Sequence, residues 1–384
     1  MSPSSPSRSS RPRRLLLGLV VAFLALTLLE GLASWLWLLP DYRAFRGEQP
    51  KATTFKEESH SRYDPDIGWV HVPDRHLQDF YGPGADITIN ADGFRGLNPD
   101  LGPAGTANRA GRYRVVSLGD SFTLGYGVGD GETYPAWLER LNPGVETVNL
   151  GQGGYSVGQC ALWYQRVAEQ LDTDLLLYAL IVDDIWRMGS TRTANGYGLP
   201  RFELVGDAVQ VSGQPVADKI ASGAPLLERG QAVDFFLRES ALARSLRSVL
   251  PSPESGPEAL EAEELVTLTL ALLRDLEQDA KNRQATFAVV LLPELRELPD
   301  DASSPAAATY RSVSETLTIT LRRRGVPYLD LRPAFRAQGP TARAFYLDEV
   351  WHHYSPSGNR FVAEGIDAWL SQSLPGYPRR LPAP

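Results

Sequence analysis

Two stretches of this chain, 175–182 (LLLYALIV) and 285–292 (ATFAVVLL), are apolar almost throughout. A strand with one wetted face alternates apolar and polar side chains, whereas a strand without alternation must be buried on both faces. Such strands belong to parallel sheets, whose long crossovers lay helices over both surfaces. The flanking sequence supplies those helices. Strand signals at 113–118, 145–149, 174–182, 285–292 and 326–331 alternate with helix signals at 132–142, 157–171, 258–282, 308–324 and 357–372. The alternation predicts an α/β fold with a parallel sheet in a three-layer α/β/α sandwich, spanning residues 112–374.

The pattern breaks between 186 and 257. There, 202–211 reads as a small hairpin and 233–250 as an amphipathic helix with an arginine-rich face. An insertion after the third strand lies on the ligand side of such a sheet, so it is a candidate lid. A Pro/Ser/Glu-rich stretch at 251–258 and the Pro-rich tail 375–384 read as linkers. Ahead of the sheet domain, 40–111 forms a juxtamembrane extension with short strands at 66–70 and 87–96, expected to dock rather than hang free. Its histidines, His60, His71 and His76, read as packing or surface residues.

The first forty residues carry a membrane signal. Arg8, Arg11, Arg13 and Arg14 precede a run, 15–39, that is apolar except for Thr27, Glu30, Ser34 and small residues. Twenty-five residues at helical rise span about 37 Å, enough for a hydrocarbon core of about 30 Å. No A-x-A-like cleavage site follows, so the expectation is an uncleaved single-pass anchor in the cytoplasmic membrane. Residues 1–14 would stay cytoplasmic and the rest would lie outside, on the periplasmic or extracellular side. Trp35 and Trp37 suit the outer interface. Glu30 would cost up to about 3 kcal/mol unpaired near the centre. It either leans to the outer headgroups or meets another membrane helix.

Composition excludes several classes. A net charge of −8 with no basic stripe beyond the extreme N-terminus argues against nucleic acid. One cysteine, Cys160, forbids an intramolecular disulfide, and five histidines without HExxH or CxxC give a metal no recognisable ligand set. No cofactor is expected.

Where the first strand ends, the sequence reads Gly119-Asp120-Ser121-Phe122-Thr123. Open α/β sheets bind ligands beyond the carboxyl ends of their strands, so Ser121 stands where a nucleophile would. Near the other end, Asp348 precedes His352-His353-Tyr354-Ser355-Pro356-Ser357-Gly358-Asn359. A serine, a histidine and an acid are the parts of an activated nucleophile. Between them lie Asn149-Leu150-Gly151-Gln152-Gly153-Gly154-Tyr155-Ser156 and Val182-Asp183-Asp184-Ile185. In this order the four blocks resemble those of the SGNH (GDSL-like) hydrolases, over about residues 112 to 374. The resemblance implies a flavodoxin-like arrangement of the sandwich and a serine esterase.

It also implies roles. Ser121 would be the nucleophile and His353 the base, since an aromatic-Ser-Pro-x-Gly-Asn run follows the family's histidine; His352 is the rival. The family's acid lies three residues before its histidine, which here is Val350. Asp348, five before His353, is the preferred acid, and Glu349, three before His352, is the alternative. The oxyanion would be held by the amides of Ser121 and Gly154 and by an amide side chain in the third block. At that position stands Asp183. An ionised carboxylate about 4 Å from the oxyanion would repel it by up to about 4 kcal/mol, and losing one donor costs about 10² to 10³ in rate. Asp183 is therefore protonated, or turned away, or a brake on activity.

The expected function is hydrolysis of a carbohydrate or lipid acyl ester through an acyl-serine. Two alternatives remain open: an O-acyltransferase acting on a cell-envelope glycan, and an anchored binding protein whose site has decayed.

Overall fold

The computed structural model describes residues 16–32, 60–96, 111–190, 198–216, 257–298, 305–347 and 352–379. They fall into two compact units, one containing helix α1 (16–32) and the other all remaining described residues. The expected helix 233–250 and the candidate acids Asp348 and Glu349 lie outside the described residues. Of the expected span 15–39, residues 16–32 are described and are helical. No helix among the described residues is long and apolar enough to cross a membrane.

The second unit opens with two antiparallel pairs, β1 (Ser61–Asp64) with β2 (Gly68–His71) and β3 (Arg75–Leu77) with β4 (Ile87–Ile89). A parallel sheet follows, built from β5 (Tyr113–Gly119), β6 (Val145–Asn149), β7 (Leu175–Leu180), β10 (Thr286–Leu291) and β11 (Tyr328–Asp330). Its five strands run in the order β11-β10-β7-β5-β6. The chain thus moves from β5 outward to β6, then returns across β5 to β7, which is the flavodoxin-like order. Between β7 and β10, β8 (Arg201–Val205) and β9 (Ala208–Ser212) form the hairpin expected in the insertion.

Helices cover both faces, as the apolar runs require. Alternate residues of one strand enter different cores. Leu176, Tyr178 and Leu180 of β7 join Phe287, Val289 and Leu291 of β10 under α4 (Val157–Val167), α6 (Pro257–Asn282) and α7 (Pro305–Arg324). Leu175, Leu177 and Ala179 join Ala288 and Val290 on the opposite side, under α3 (Tyr134–Leu141) and α9 (Pro356–Ser373). Local signals set the helix starts. Thr133 accepts from Ala136 N to begin α3, and Ser156 forms a reciprocal capping box with Gln159 at α4. Short helices α2 (Ser121–Leu124), α5 (Val182–Arg187) and α8 (Arg332–Arg336) follow β5, β7 and β11.

Residues 60–96 are docked on this sandwich. Tyr155 Oη donates to the Trp69 carbonyl, and Gln159 Nε2 donates to the Ile67 carbonyl at 2.7 Å. Arg95, almost fully buried, donates to Asp130 Oδ1 at 2.8 Å and to the Val128 carbonyl at 2.9 Å, while its amide bonds the Asn149 carbonyl at the end of β6.

Two of the extension's histidines are buried with it. His60 and His71 are 0% and 2% exposed, their ring centroids 5.5 Å apart. Burial, with the Arg95 charge, pushes His60 down to about 4; burial and His60 hold His71 well below its ordinary value. The unfolded chain therefore takes up protons near the ordinary value of 6.5 that the folded domain refuses, so stability falls as pH drops from about 6.5 toward 4. His60 alone should remove about 2 kcal/mol between pH 7 and pH 5. Urea unfolding at the two pH values should show a lower midpoint at pH 5, with a smaller difference in His60→Gln; equal midpoints in the wild-type protein would refute this account.

Candidate active site

The reversal of chain direction across the sheet opens a crevice beyond the carboxyl ends of β5 and β7. The turn that carries Ser121 lies there. β5 ends at Gly119, where a Cβ would fall 2.1 Å from Thr123 Oγ1 and 2.4 Å from the Ala179 carbonyl, so only glycine lets the chain turn this close to β7. Asp120 Oδ1 accepts from Phe122 N at 2.9 Å and starts α2, whose first residue is Ser121. The amide of a first helical residue has no intrahelical acceptor and remains available to a ligand.

His353 reaches Ser121 from the last block. Its Nε2 lies 2.7 Å from Ser121 Oγ, across 232 residues of sequence. Each neighbouring residue has a part in holding it there. Ser355 caps α9 through Gly358 N, and Pro356 fills the first turn, where no amide donor is needed. Asn359 Nδ2 donates to the Tyr354 and Ser355 carbonyls, and its Oδ1 accepts from Tyr134 N at 3.0 Å. Leu347 N donates to the His353 carbonyl at 2.7 Å beside an antiparallel bridge between Tyr346 and Tyr354. The imidazole lies against Phe122 and Tyr126, centroids 4.7 and 5.2 Å away. The adjoining His352 is exposed, with a left-handed φ of 56°, and it is His353 that meets Ser121.

The second block follows β6. Asn149 Nδ2 donates to the Thr123 carbonyl at 2.8 Å and its Oδ1 accepts from Gly151 N, tying this loop to the turn that carries Ser121. Gly154 is half-buried with φ 74°, a conformation glycine adopts without strain. Trp69 of the extension supports the turn through Nε1 to the Gly153 carbonyl at 3.1 Å.

The third block separates its two acids. Asp183 bonds the Tyr310 hydroxyl and pairs with Arg296 Nη2 at 3.2 Å, so its carboxylate is committed to α7 and the β10 loop. Asp184 is fully buried and points toward Asp120; burial, then the Asp120 charge, pushes it well above the usual carboxylate range. Arg187 joins them: its Nη1 donates to Asp120 Oδ2 at 2.9 Å, the Tyr155 carbonyl at 2.8 Å and Asp184 Oδ1 at 2.6 Å. Burial opposes its charge, but Asp184 and Asp120 overcome that and raise its pKa. Neither Arg187 nor the aromatic walls of His353 were expected. The usable signal was the spacing of Asp184 and Arg187, one turn apart on one face of a helix at the end of β7. Among the described residues there is no His/Cys/Asp/Glu group able to hold a metal ion.

The GDSL-like Lipase/Acylhydrolase family matches residues 117–361, more than half of the chain and all four blocks. The chain belongs to that family. Similar solved structures include a lipolytic G-D-S-L family protein from Veillonella parvula, 13% identical over 68% of this chain and 99% of that one, with a TM-score of 0.40. Others are the acetyl xylan esterase AlAXEase (16%, 66% and 98%, TM-score 0.40) and a catalytic mutant of an acetylxylan esterase from Geobacillus stearothermophilus (15%, 67% and 94%, TM-score 0.39). No curated protein matches significantly.

Tyr310 and Arg296 hold the Asp183 carboxylate, so the expectation is that a change there leaves the rate nearly as it is. Asp183→Asn keeps an oxygen for Tyr310, and esterase kcat should stay within about tenfold of wild type in either direction; a rise of about 10² or more would place the carboxylate against the oxyanion.

Proposed function

We propose that this GDSL-like protein hydrolyses an acyl ester, of a carbohydrate or a lipid, through an acyl-serine. The observation that carries this reading is the 2.7 Å approach of His353 Nε2 to Ser121 Oγ at the switch point of the sheet. His353 takes the Ser121 proton as Oγ bonds the ester carbonyl carbon, and the carbonyl oxygen becomes an oxyanion facing the Ser121 and Gly154 amides. Collapse of that intermediate breaks the ester C–O bond, and His353 returns the proton to the leaving alkoxide. Water then repeats the sequence on the acyl-serine and releases the acid. We assign Asp348 as the acid orienting His353, since it directly follows Leu347, whose amide bonds the His353 carbonyl. Asp183 has no place in this oxyanion assignment.

A fluorophosphonate should label Ser121 and no residue in Ser121→Ala, with the adduct placed by mass spectrometry. His353→Asn should lower kcat for a p-nitrophenyl ester by several orders of magnitude and His352→Asn by about tenfold or less. Labelling that persists in Ser121→Ala, or the reverse order of the histidines, would overturn the assignment. Acyl-sugar in place of free acid would make the protein a transferase.

We further propose that residues 15–39 anchor the protein in the cytoplasmic membrane with the hydrolase domain outside. Eleven large apolar side chains between Leu16 and Leu32 are all exposed, from 47% at Val20 to 75% at Leu28, giving α1 no polar face for water. Protease added to intact spheroplasts should digest the domain; full protection would reverse the topology.

A further inference from the structure

The Ser121 hydroxyl has one proton and two acceptors within reach. His353 Nε2 stands at 2.7 Å, and Asp120 Oδ2, on the preceding residue, at 3.2 Å. Only a proton directed to His353 leads to nucleophilic attack, yet Ser121 Oγ also donates to Asp120 Oδ2, and a buried carboxylate competes the more strongly the less its charge is neutralised. Asp120 is fully buried and both its oxygens are engaged: Oδ1 by Phe122 N, Oδ2 by Arg187 Nη1. The same Arg187 nitrogen reaches the Tyr155 carbonyl, next to Gly154, and Asp184 on α5. One cationic nitrogen therefore connects the turns after β5, β6 and β7, which carry Ser121, Gly154 and Asp184.

We propose that Arg187 is a positioning residue for Ser121: by pairing with Asp120 Oδ2 it weakens that oxygen as an acceptor and biases the serine proton toward His353. This rests on the acyl-serine reading and adds a residue to it. Arg187 acts through Asp120. Its removal leaves the Asp120 carboxylate unneutralised beside the hydroxyl, and the serine proton shifts from His353 to Asp120.

The test uses the whole chain and reads Ser121 directly, as the second-order rate of fluorophosphonate labelling, with kcat and KM for p-nitrophenyl acetate alongside. Arg187→Gln should slow labelling by about 10² or more, the scale of a lost general base, with the loss in kcat rather than KM. Adding Asp120→Asn keeps an oxygen for Phe122 N and removes the competing charge. The double variant should therefore label at least about tenfold faster than Arg187→Gln alone. A role in packing alone predicts no such recovery. Should Arg187→Gln fail to fold, the comparison is made in Arg187→Lys, whose shorter ammonium keeps the charge but falls short of Asp120 Oδ2, and the same gain of about tenfold is expected on adding Asp120→Asn. Wild-type labelling rates in Arg187→Gln, or no gain from Asp120→Asn in either background, overturn this proposal. Absence of Ser121 labelling in the wild-type protein overturns the acyl-serine reading instead.

Discussion

Strand β5 is hydrogen-bonded to β6 on one side and β7 on the other, and the position of the Ser121 turn depends on that placement. The chain crosses from β5 outward to β6 and then back past β5 to β7, so the carboxyl ends of β5 and β7 mark the switch point of the sheet, where such sheets open a crevice. Into that opening the chain sends three turns, from β5, β6 and β7, each short and each punctuated by residues that hold backbone in place. The sheet is rigid because its inner strands are buried on both faces, and that rigidity passes to Ser121 through only one residue, Asp120. A nucleophile on a long loop would lose orientation that this arrangement supplies before substrate arrives.

The histidine comes from the far end of the chain and depends on a different device. Ser355, Pro356, Gly358 and Asn359 start a helix, but together they also fix where the preceding residue stands. Gly358 lies so near Phe345 that a Cβ would fall 2.1 Å from its carbonyl oxygen, and Asn359 reaches across to Tyr134 at the start of α3. The helix start thus serves as a clamp between the two ends of the sequence. His353 inherits its position from backbone on both sides, with Phe122 and Tyr126 setting the plane of the ring.

Much of this was legible beforehand because the signals are local. Unbroken apolar runs require two covered faces, and the alternation of core membership along β7 and β10 is the structural form of that requirement. The helices expected at 132–142 and 157–171 begin close to where Thr133 and Ser156 cap α3 and α4. The serine and histidine blocks were readable because Gly-Asp-Ser at a strand end, paired with a histidine just ahead of a capped helix, supplies both halves of a nucleophile. What could not be read was rotation. Asp183 and Asp184 are adjacent, and a helix turns about 100° per residue, so one faces Asp120 and the other α7; composition does not say which. Between His352 and His353 the run from Tyr354 to Asn359 already favoured His353, the histidine that the structure brings to Ser121 beside the bridge between Tyr346 and Tyr354. Arg187 was invisible for a further reason: its importance lies in partners on three separate turns, and one of them is a backbone carbonyl.

The docking of β1 and β2 has a consequence for where this protein begins as a cooperative unit. The family match starts at residue 117, but Gln159, Tyr155 and the Gly153 carbonyl find partners on Ile67 and Trp69, well upstream. Those partners brace the same glycine turn that carries Gly154. A domain excised at its homology boundary would expose that brace's binding groove and loosen the wall behind Gly154. The functional border of this hydrolase is thus drawn by its hydrogen bonds, some fifty residues ahead of the border drawn by likeness.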